Sequence, residues 1–317
     1  MVLALSEASC DDLLRESIEN LISLGEIIEP RKGKARELQG AMLELTNPRA
    51  RLSRSATRGR IFSALGELCW YLSGTNAVEP ISYYLSHYTS LGEDGEVYGG
   101  YGPRLFNFDG VDQLNYVIGQ LTEHPHSRQA VVQLFDHEDV VQPHLDVPCT
   151  CTFQFLLRQG GLHLITHMRS NDVYLGLSHD IFSFTMLQEI VANSIGANLG
   201  SYIHMVGSLH LYEDKLTKAK AFLAEGWQSS DHHMPDMPTG DPWPSIRHLL
   251  SVESSLRNGD DPSEVELADE PYWADLERLL AIYSLVKGNR LADAHRIRES
   301  LVHQAYDVFA TDRIDPL

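Results

Sequence analysis

An α+β fold is predicted by three features of the sequence. Strand-like and helix-like runs are interspersed with no repeating strand–helix–strand rhythm. Two strand-like runs, 152–157 and 162–168, flank Arg158-Gln159-Gly160-Gly161, four residues suited to a hairpin turn. Residues 181–196 are apolar nearly all round, the pattern of a helix at the centre of a molecule. With 317 residues and 43% hydrophobic content, the chain can build a full-sized core as one large domain or two.

Taken in order, residues 11–24 carry Leu13, Leu14, Ile18, Leu21 and Ile22 at helical spacing, with Asp11 or Asp12 as the N-cap. Residues 40–46 alternate as a strand and stop at Asn47-Pro48. Residues 59–73 read as a buried helix holding Glu67, Cys69 and Trp70 and ending at Gly74. An amphipathic helix follows over 113–122, closed by His124-Pro125, then a strand over 130–135. After the hairpin and the central helix, a strand over 202–211 delivers His210 and Tyr212. From residue 225 the composition shifts. Residues 225–271 hold eleven Asp or Glu against two Arg, and six of the fourteen prolines, which reads as an exposed acidic linker or loop. Residues 272–286 and 290–309 read as a helical hairpin around Gly288-Asn289, with apolar stripes Leu276, Leu279, Leu280, Tyr283 and Leu291, Ile297, Leu301, Ala305. There is no internal repeat and no glycine-rich phosphate loop.

The net charge of −19 argues against a nucleic-acid partner, which needs a basic surface, but not against one small anion held by local arginines. No run of 18 apolar residues exists, so no membrane span is expected. The first residues lack the basic start of a signal peptide. The four cysteines, Cys10, Cys69, Cys149 and Cys151, form no CxxC pair and fit a reducing, cytoplasmic setting. No metal is expected.

Cys149 is the candidate nucleophile. A cysteine attacks as thiolate and needs positive charge nearby; Arg169 and Arg128 are the candidates to supply it. A cysteine taken alone is more often an inert buried side chain. The polar residues downstream of it are more informative: Arg169-Ser170-Asn171-Asp172, Gly176, His179-Asp180 and His210-Leu211-Tyr212. That order suits attack through sulfur on a phosphorylated small molecule. Glu67, in an apolar helix, is a carboxylate that needs a partner or a task.

The run Pro148-Cys149-Thr150-Cys151-Thr152-Phe153-Gln154-Phe155, the segment Arg169–Ile181 with Gly176 and Asp180, and His210-Leu211-Tyr212 resemble the folate-dependent thymidylate synthase family. Upstream, Glu67-Leu68-Cys69-Trp70-Tyr71-Leu72, Val97-Tyr98-Gly99 and Ser127-Arg128-Gln129 resemble the same family, and the likeness runs through residues 11–222. It implies a three-layer α+β homodimer with a twisted mixed sheet at the subunit interface. It divides the chain into a catalytic domain (1–224), the acidic linker (225–271) and a C-terminal helical extension (272–317) with no counterpart in the family. It implies a pyrimidine nucleoside monophosphate as substrate and 5,10-methylenetetrahydrofolate as co-substrate, with no metal. Cys149 would add to C6 of the base and make C5 a nucleophile. Arg169 and Ser170 would hold the 5′-phosphate, with Arg128 reaching it from the partner subunit. Asp172 and Gly176 would face the folate, Glu67 and Tyr98 would order water and protons near the base, and His210 and Tyr212 would bond the sugar.

Four departures narrow the reading. Asp180 stands where the methylating enzymes carry Asn, and a carboxyl suits the N4 amino group and N3 of cytosine. The alternative is that Asp180 caps a helix beginning at Ile181. Residues 81–90 lack a tryptophan the methylating enzymes carry, and Arg313-Ile314-Asp315-Pro316-Leu317 does not resemble their closing tail; both suggest a wetter site and water as the final reactant. Gln129 stands where the family often has a second arginine, so that one phosphate contact is either lost or supplied from elsewhere, with Arg31 or Lys34 as the candidates. These features point to a cytidylate C5 hydroxymethylase acting on CMP or dCMP. The alternatives are a uridylate methylase and a catalytically silent nucleotide-binding or scaffold relative.

Overall fold

A computed structural model describes residues 3–55, 61–228 and 233–316. Helix α1 (Cys10–Leu24) is capped by Ser9, whose hydroxyl accepts from the Asp12 amide. The cap therefore lies ahead of the expected Asp11 or Asp12, and Asp11 turns inward and accepts from the Ser53 hydroxyl at 2.5 Å. The predicted strand over 40–46 is the second half of β3 (Ala35–Leu45). It pairs in parallel with β1 (Ala4–Glu7) and antiparallel with β2 (Glu26–Ile28). The remaining strands are β4 (Val131–Gln133), β5 (Thr150–Arg158), β6 (Gly161–Asp172) and β7 (Asn198–Tyr212), giving a sheet ordered β1-β3-β7-β6-β5-β4. The sheet is mixed: β3 and β7 are antiparallel, β6 and β7 parallel, β5 and β6 antiparallel. Interspersed with helices and not closed on itself, it makes the protein α+β, as predicted.

The β5–β6 turn forms where expected, with Gln159 and Gly160 both at positive φ (52° and 78°), the twist that a two-residue hairpin needs. Strand β4 is shorter than the predicted 130–135. The amides of Leu134 and Phe135 both turn to the Cys151 carbonyl, at an irregularity in β5 between Thr150 and Thr152, and the ladder stops there.

The central helix is α6 (Leu177–Ser194), which packs on β6 and β7. Helix α2 (Ile61–Leu72) lies on α6, and its predicted first residues, 59 and 60, fall outside the described residues. Against α2 sit α3 (Val78–Tyr84) and α4 (Tyr101–Phe106), α5 (Gln113–Glu123) packs on α4 and β4, and α7 (Leu216–Ala224) closes against α1.

The segment expected to be an exposed linker is not one. Helix α8 (Trp243–Asn258) occupies it, and Ile246, Leu249, Val252 and Leu256 are 1–3% exposed in the same core as the sheet. The acidic average concealed a helical stripe, and Pro244 sits in the first turn, where a missing N–H costs nothing. The tail also differs. Helix α9 (Pro271–Lys287) is buried nearly all round and packs on α2 and α8. The second predicted helix is two, α10 (Leu291–Glu299) and α11 (Asp307–Ile314). Its break has a cause: buried Asp275 accepts the Val302 and His303 amides at 2.8–3.1 Å, removing them from helical bonding. Leu291, assigned to the apolar stripe, is 39% exposed, and α10 buries Ala294 instead.

Glu189 on α6 is another buried carboxylate, paired with Arg51 and Arg49. Burial pushes it up, but the two arginines outweigh burial and hold it below the usual range. Its stabilising contribution is therefore present above the unfolded value of 4.5 and lost as pH falls through the lower folded value. Glu189→Gln leaves Arg51, 1% exposed, without its counter-charge. A loss of roughly 3–5 kcal/mol is expected in urea denaturation at pH 7, shrinking at acid pH.

Candidate active site

Cys149 ends the loop that leads into β5, and β6 runs beside it, the Arg169 amide donating to the Cys149 carbonyl at 2.9 Å. The Arg169 guanidinium folds back on the same loop. Its Nε donates to the Pro148 carbonyl at 2.9 Å and its Nη2 to the Val147 carbonyl at 3.0 Å, with the Cys149 Sγ 3.7 Å away. One arginine thus fixes the cysteine loop while keeping an exposed edge for an anion. The thiol is not acidic at rest. Burial pushes its pKa up, Arg169 opposes this, and Asp146 and Asp180 push it further up.

Cys149 opens into a cavity of about 880 Å³. The same cavity is lined by Glu67, Arg169, Ser170, Asp172, Gly176, Asp180, His210, Tyr212 and Arg31, so it gathers most of the candidates named from sequence. Glu67, on α2 and 7% exposed, accepts from the Tyr88 hydroxyl at 2.9 Å. Burial raises its pKa to about 7, against the hydrogen bonds from Tyr88 and Tyr71. Asp180 accepts from Asn171 Nδ2 at 2.7 Å and is raised to about 8 by burial and by the charge of Glu67. The two carboxyls therefore titrate as an interacting pair. Asp180 is not a helix cap: α6 starts at Leu177, and the Asp180 amide already bonds the Gly176 carbonyl. Gly176 allows this close approach, since a Cβ there would lie 3.0 Å from Asn171 Nδ2 and 3.3 Å from Asp180 Oδ2.

Asp172 ends β6. Its Oδ1 accepts the Tyr174 and Leu175 amides at 2.7 Å each, and its buried Oδ2 has no protein partner among the described residues. His210 and Tyr212 meet edge to face, ring centres 5.0 Å apart.

Three candidates lie elsewhere. Tyr98 does not line the cavity; its ring stacks on His144, with centres 3.4 Å apart, and lies beside Arg104. Tyr88 and Tyr71 stand next to Glu67 instead. Arg128 is exposed outside the cavity, its carbonyl bonded by Gln154. Lys34 likewise lies outside the lining, whereas its neighbour Lys32 is in it. Sequence reading also missed Asp146, Tyr88, His87 and His144, because the loops that carry them have no helical or strand periodicity. Asn171 stood in the quoted run, but its only signal was adjacency to Arg169 and Asp172.

The thymidylate synthase family model matches residues 18–238. The chain belongs to the thymidylate synthase family. This family member is 28% identical over 217 residues to a deoxyuridylate hydroxymethyltransferase of Bacillus phage SP01, covering 64% of this chain and 57% of that one. It is 36% identical over 120 residues to the thymidylate synthase of Mycoplasma pneumoniae and 35% over 120 residues to that of Mycoplasma genitalium, covering 38% of this chain and 42% of each of theirs. The matches thus span between 42% and 57% of these relatives. Helices α8 to α11 of this family member lie beyond the matched residues. Among the described residues no group of three or more His, Cys, Asp or Glu could hold a metal ion, and no helix is long and apolar enough to cross a membrane.

Tyr88→Phe removes a donor from Glu67 without moving the helix that carries it. The Glu67 pKa is expected to rise above about 7, read as a shift of the carboxyl band in a pH-resolved infrared titration. An unchanged midpoint would show that Tyr88 does not set the proton affinity of Glu67.

Proposed function

We propose that this protein is a folate-dependent C5 hydroxymethylase of a cytidine monophosphate, CMP or dCMP. The observation that carries the reading is Asp180: a carboxyl group, tied to Asn171, in the same cavity as Cys149 and Arg169. With its pKa raised to about 8, Asp180 is protonated at neutral pH. Such a group can donate to cytosine N3 and accept from the N4 amino group.

In this reading Arg169, Ser170 and Arg31 hold the 5′-phosphate, and His210 and Tyr212 meet the sugar. Cys149 gives up its proton to a cavity base and adds to C6, and the electron pair moves to C5. When bound, methylenetetrahydrofolate supplies a one-carbon unit at the oxidation level of formaldehyde. Asp172, with its unpartnered Oδ2, fits an N–H of the folate ring, and Gly176 leaves the backbone open beside it. C5 would then bond that one-carbon unit, and loss of the C5 proton to a cavity base, with cleavage of the carbon–nitrogen bond that frees tetrahydrofolate, would leave an exocyclic methylene. Water adds to that carbon, its proton passes to the Glu67–Asp180 pair, and the returning electron pair expels the Cys149 thiolate. Water as the final reactant is supported by the lining, which runs from Pro30 to Tyr212 and takes no side chain from α8 to α11.

Two copies would complete the site. Met42 and Met205 stand opposite each other on β3 and β7, 40% and 39% exposed, as an apolar patch on the outer sheet face. In such a dimer Arg128 of the partner subunit is the candidate to reach the phosphate, as the family resemblance implies. Sedimentation of Met205→Glu is expected to give a monomer where the unmodified protein gives a dimer; a dimer in both would place the interface elsewhere.

A uridylate substrate is the second reading, favoured by the deoxyuridylate named for the phage relative. Incubation with methylenetetrahydrofolate and C5-tritiated CMP, dCMP or dUMP separates the two. Tritium release from a cytidylate with formation of tetrahydrofolate is expected. Release from dUMP alone, or stoichiometric dihydrofolate, would overturn the proposal.

A further inference from the structure

His204 lies on β7 at 0% exposure, beneath the cavity rather than in its lining. Its Nε2 is 3.0 Å from Asn171 Oδ1, and its Nδ1 is 2.6 Å from the Tyr202 hydroxyl. Asn171 in turn donates from Nδ2 to Asp180 Oδ2 at 2.7 Å. Four side chains thus form one buried hydrogen-bonded chain that ends on the carboxyl facing the base.

Proton accounting gives this chain a direction. A primary amide donates only from nitrogen and accepts only at oxygen. With Asn171 Nδ2 committed to Asp180, Asn171 Oδ1 faces His204 and must receive a proton from Nε2. Burial holds His204 neutral, its pKa lowered to about 3, so the ring carries a single proton. If that proton is on Nε2, Nδ1 is bare and accepts from the Tyr202 hydroxyl. Each bond then points the same way, from Tyr202 to Asp180. Because Asp180 Oδ2 is occupied as an acceptor, the acidic proton of Asp180 is left on Oδ1. An Asn171 amide turned the other way would take that proton on its own oxygen, and the base would meet an acceptor where it needs a donor.

We propose that Tyr202 and His204 are positioning residues for base selection: they orient the Asn171 amide so that Asp180 presents a fixed donor to the pyrimidine. The inference rests on the reading of Asp180 as the base-facing group. It adds two residues that touch no substrate and lie on a strand with no other part in selecting the base.

The test has two arms. Nitrogen-15 NMR of the unmodified protein, labelled at histidine, reports the ring tautomer of His204. The Nε2–H form is expected, and the Nδ1–H form would overturn the inference without any variant. In the kinetic arm, the ratio of kcat/KM for a cytidylate over the matching uridylate is measured. His204→Phe is expected to lower that ratio by at least about 10-fold, and His204→Gln, whose amide nitrogen replaces Nε2–H, to recover most of it. A ratio unchanged in His204→Phe, while Asp180→Asn reverses it, would overturn the inference and leave the proposed function standing. An unmodified protein with no base preference would instead overturn the functional reading, and the inference with it. If His204→Phe does not fold, the tautomer decides.

Discussion

Cys149→Ala is expected to abolish C5 tritium release from the preferred cytidylate, a loss of at least about 10⁴-fold in kcat, with nucleotide binding kept within about 10-fold. In the proposed reaction sulfur addition at C6 makes C5 reactive, and no other described cysteine lines the cavity. Cys10 and Cys69 are buried in the core, and Cys151, half-buried on β5, lies outside the lining. Binding survives because Arg169 is anchored by the Pro148 and Val147 carbonyls and not by the sulfur. Calorimetry with CMP and dCMP, beside tritium release, separates the two effects. Residual release above a hundredth of the unmodified rate would assign the chemistry to another group.

Asp180→Asn is expected to reverse the base preference, changing the cytidylate-to-uridylate ratio of kcat/KM by at least about 10²-fold. A side-chain amide offers an N–H to uracil O4 and an acceptor to N3–H, whereas it meets the cytosine amino group donor to donor unless it turns. The same variant tests the proton account. With Asp180 raised to about 8 by burial and by Glu67, kcat/KM for the cytidylate is expected to fall as pH rises through that value. In Asp180→Asn that limb disappears, while Glu67, raised by its own burial and by Asp146, keeps its titration near 7. Both carboxyls are raised in the folded protein, so their stabilising contribution is full below the ordinary values of 3.8 and 4.5 and is lost as pH rises through about 7 and 8. Cytosine preference unchanged in the variant would remove Asp180 from base selection.

Much of the site was legible in the chain because its residues are clustered in short, ordered runs. Cys149 sits one strand from Arg169, and Ser170, Asp172, Gly176 and Asp180 come within the next eleven residues, so local sequence brings them together. Tyr98 was misread because a tyrosine beside the right motif carries no signal of which way its ring turns; stacking on His144 decided that. The acidic linker was misread because composition averages over a segment, while burial depends on one face of it. In α8 four apolar side chains at helical spacing outweighed the charges around them.

The sequence by itself determined the fold class and the family pattern, and it singled out Cys149 as the candidate nucleophile and the carboxyl at position 180. These reside in residue type and in spacing along the chain, which survive without coordinates. Only the tertiary structure decided the proton states. Glu67 and Asp180 come from helices α2 and α6, far apart in sequence, and their mutual repulsion in a buried cavity exists only once the two helices pack. The Tyr202–His204–Asn171 chain likewise depends on β7 lying parallel to β6, a register no local pattern encodes.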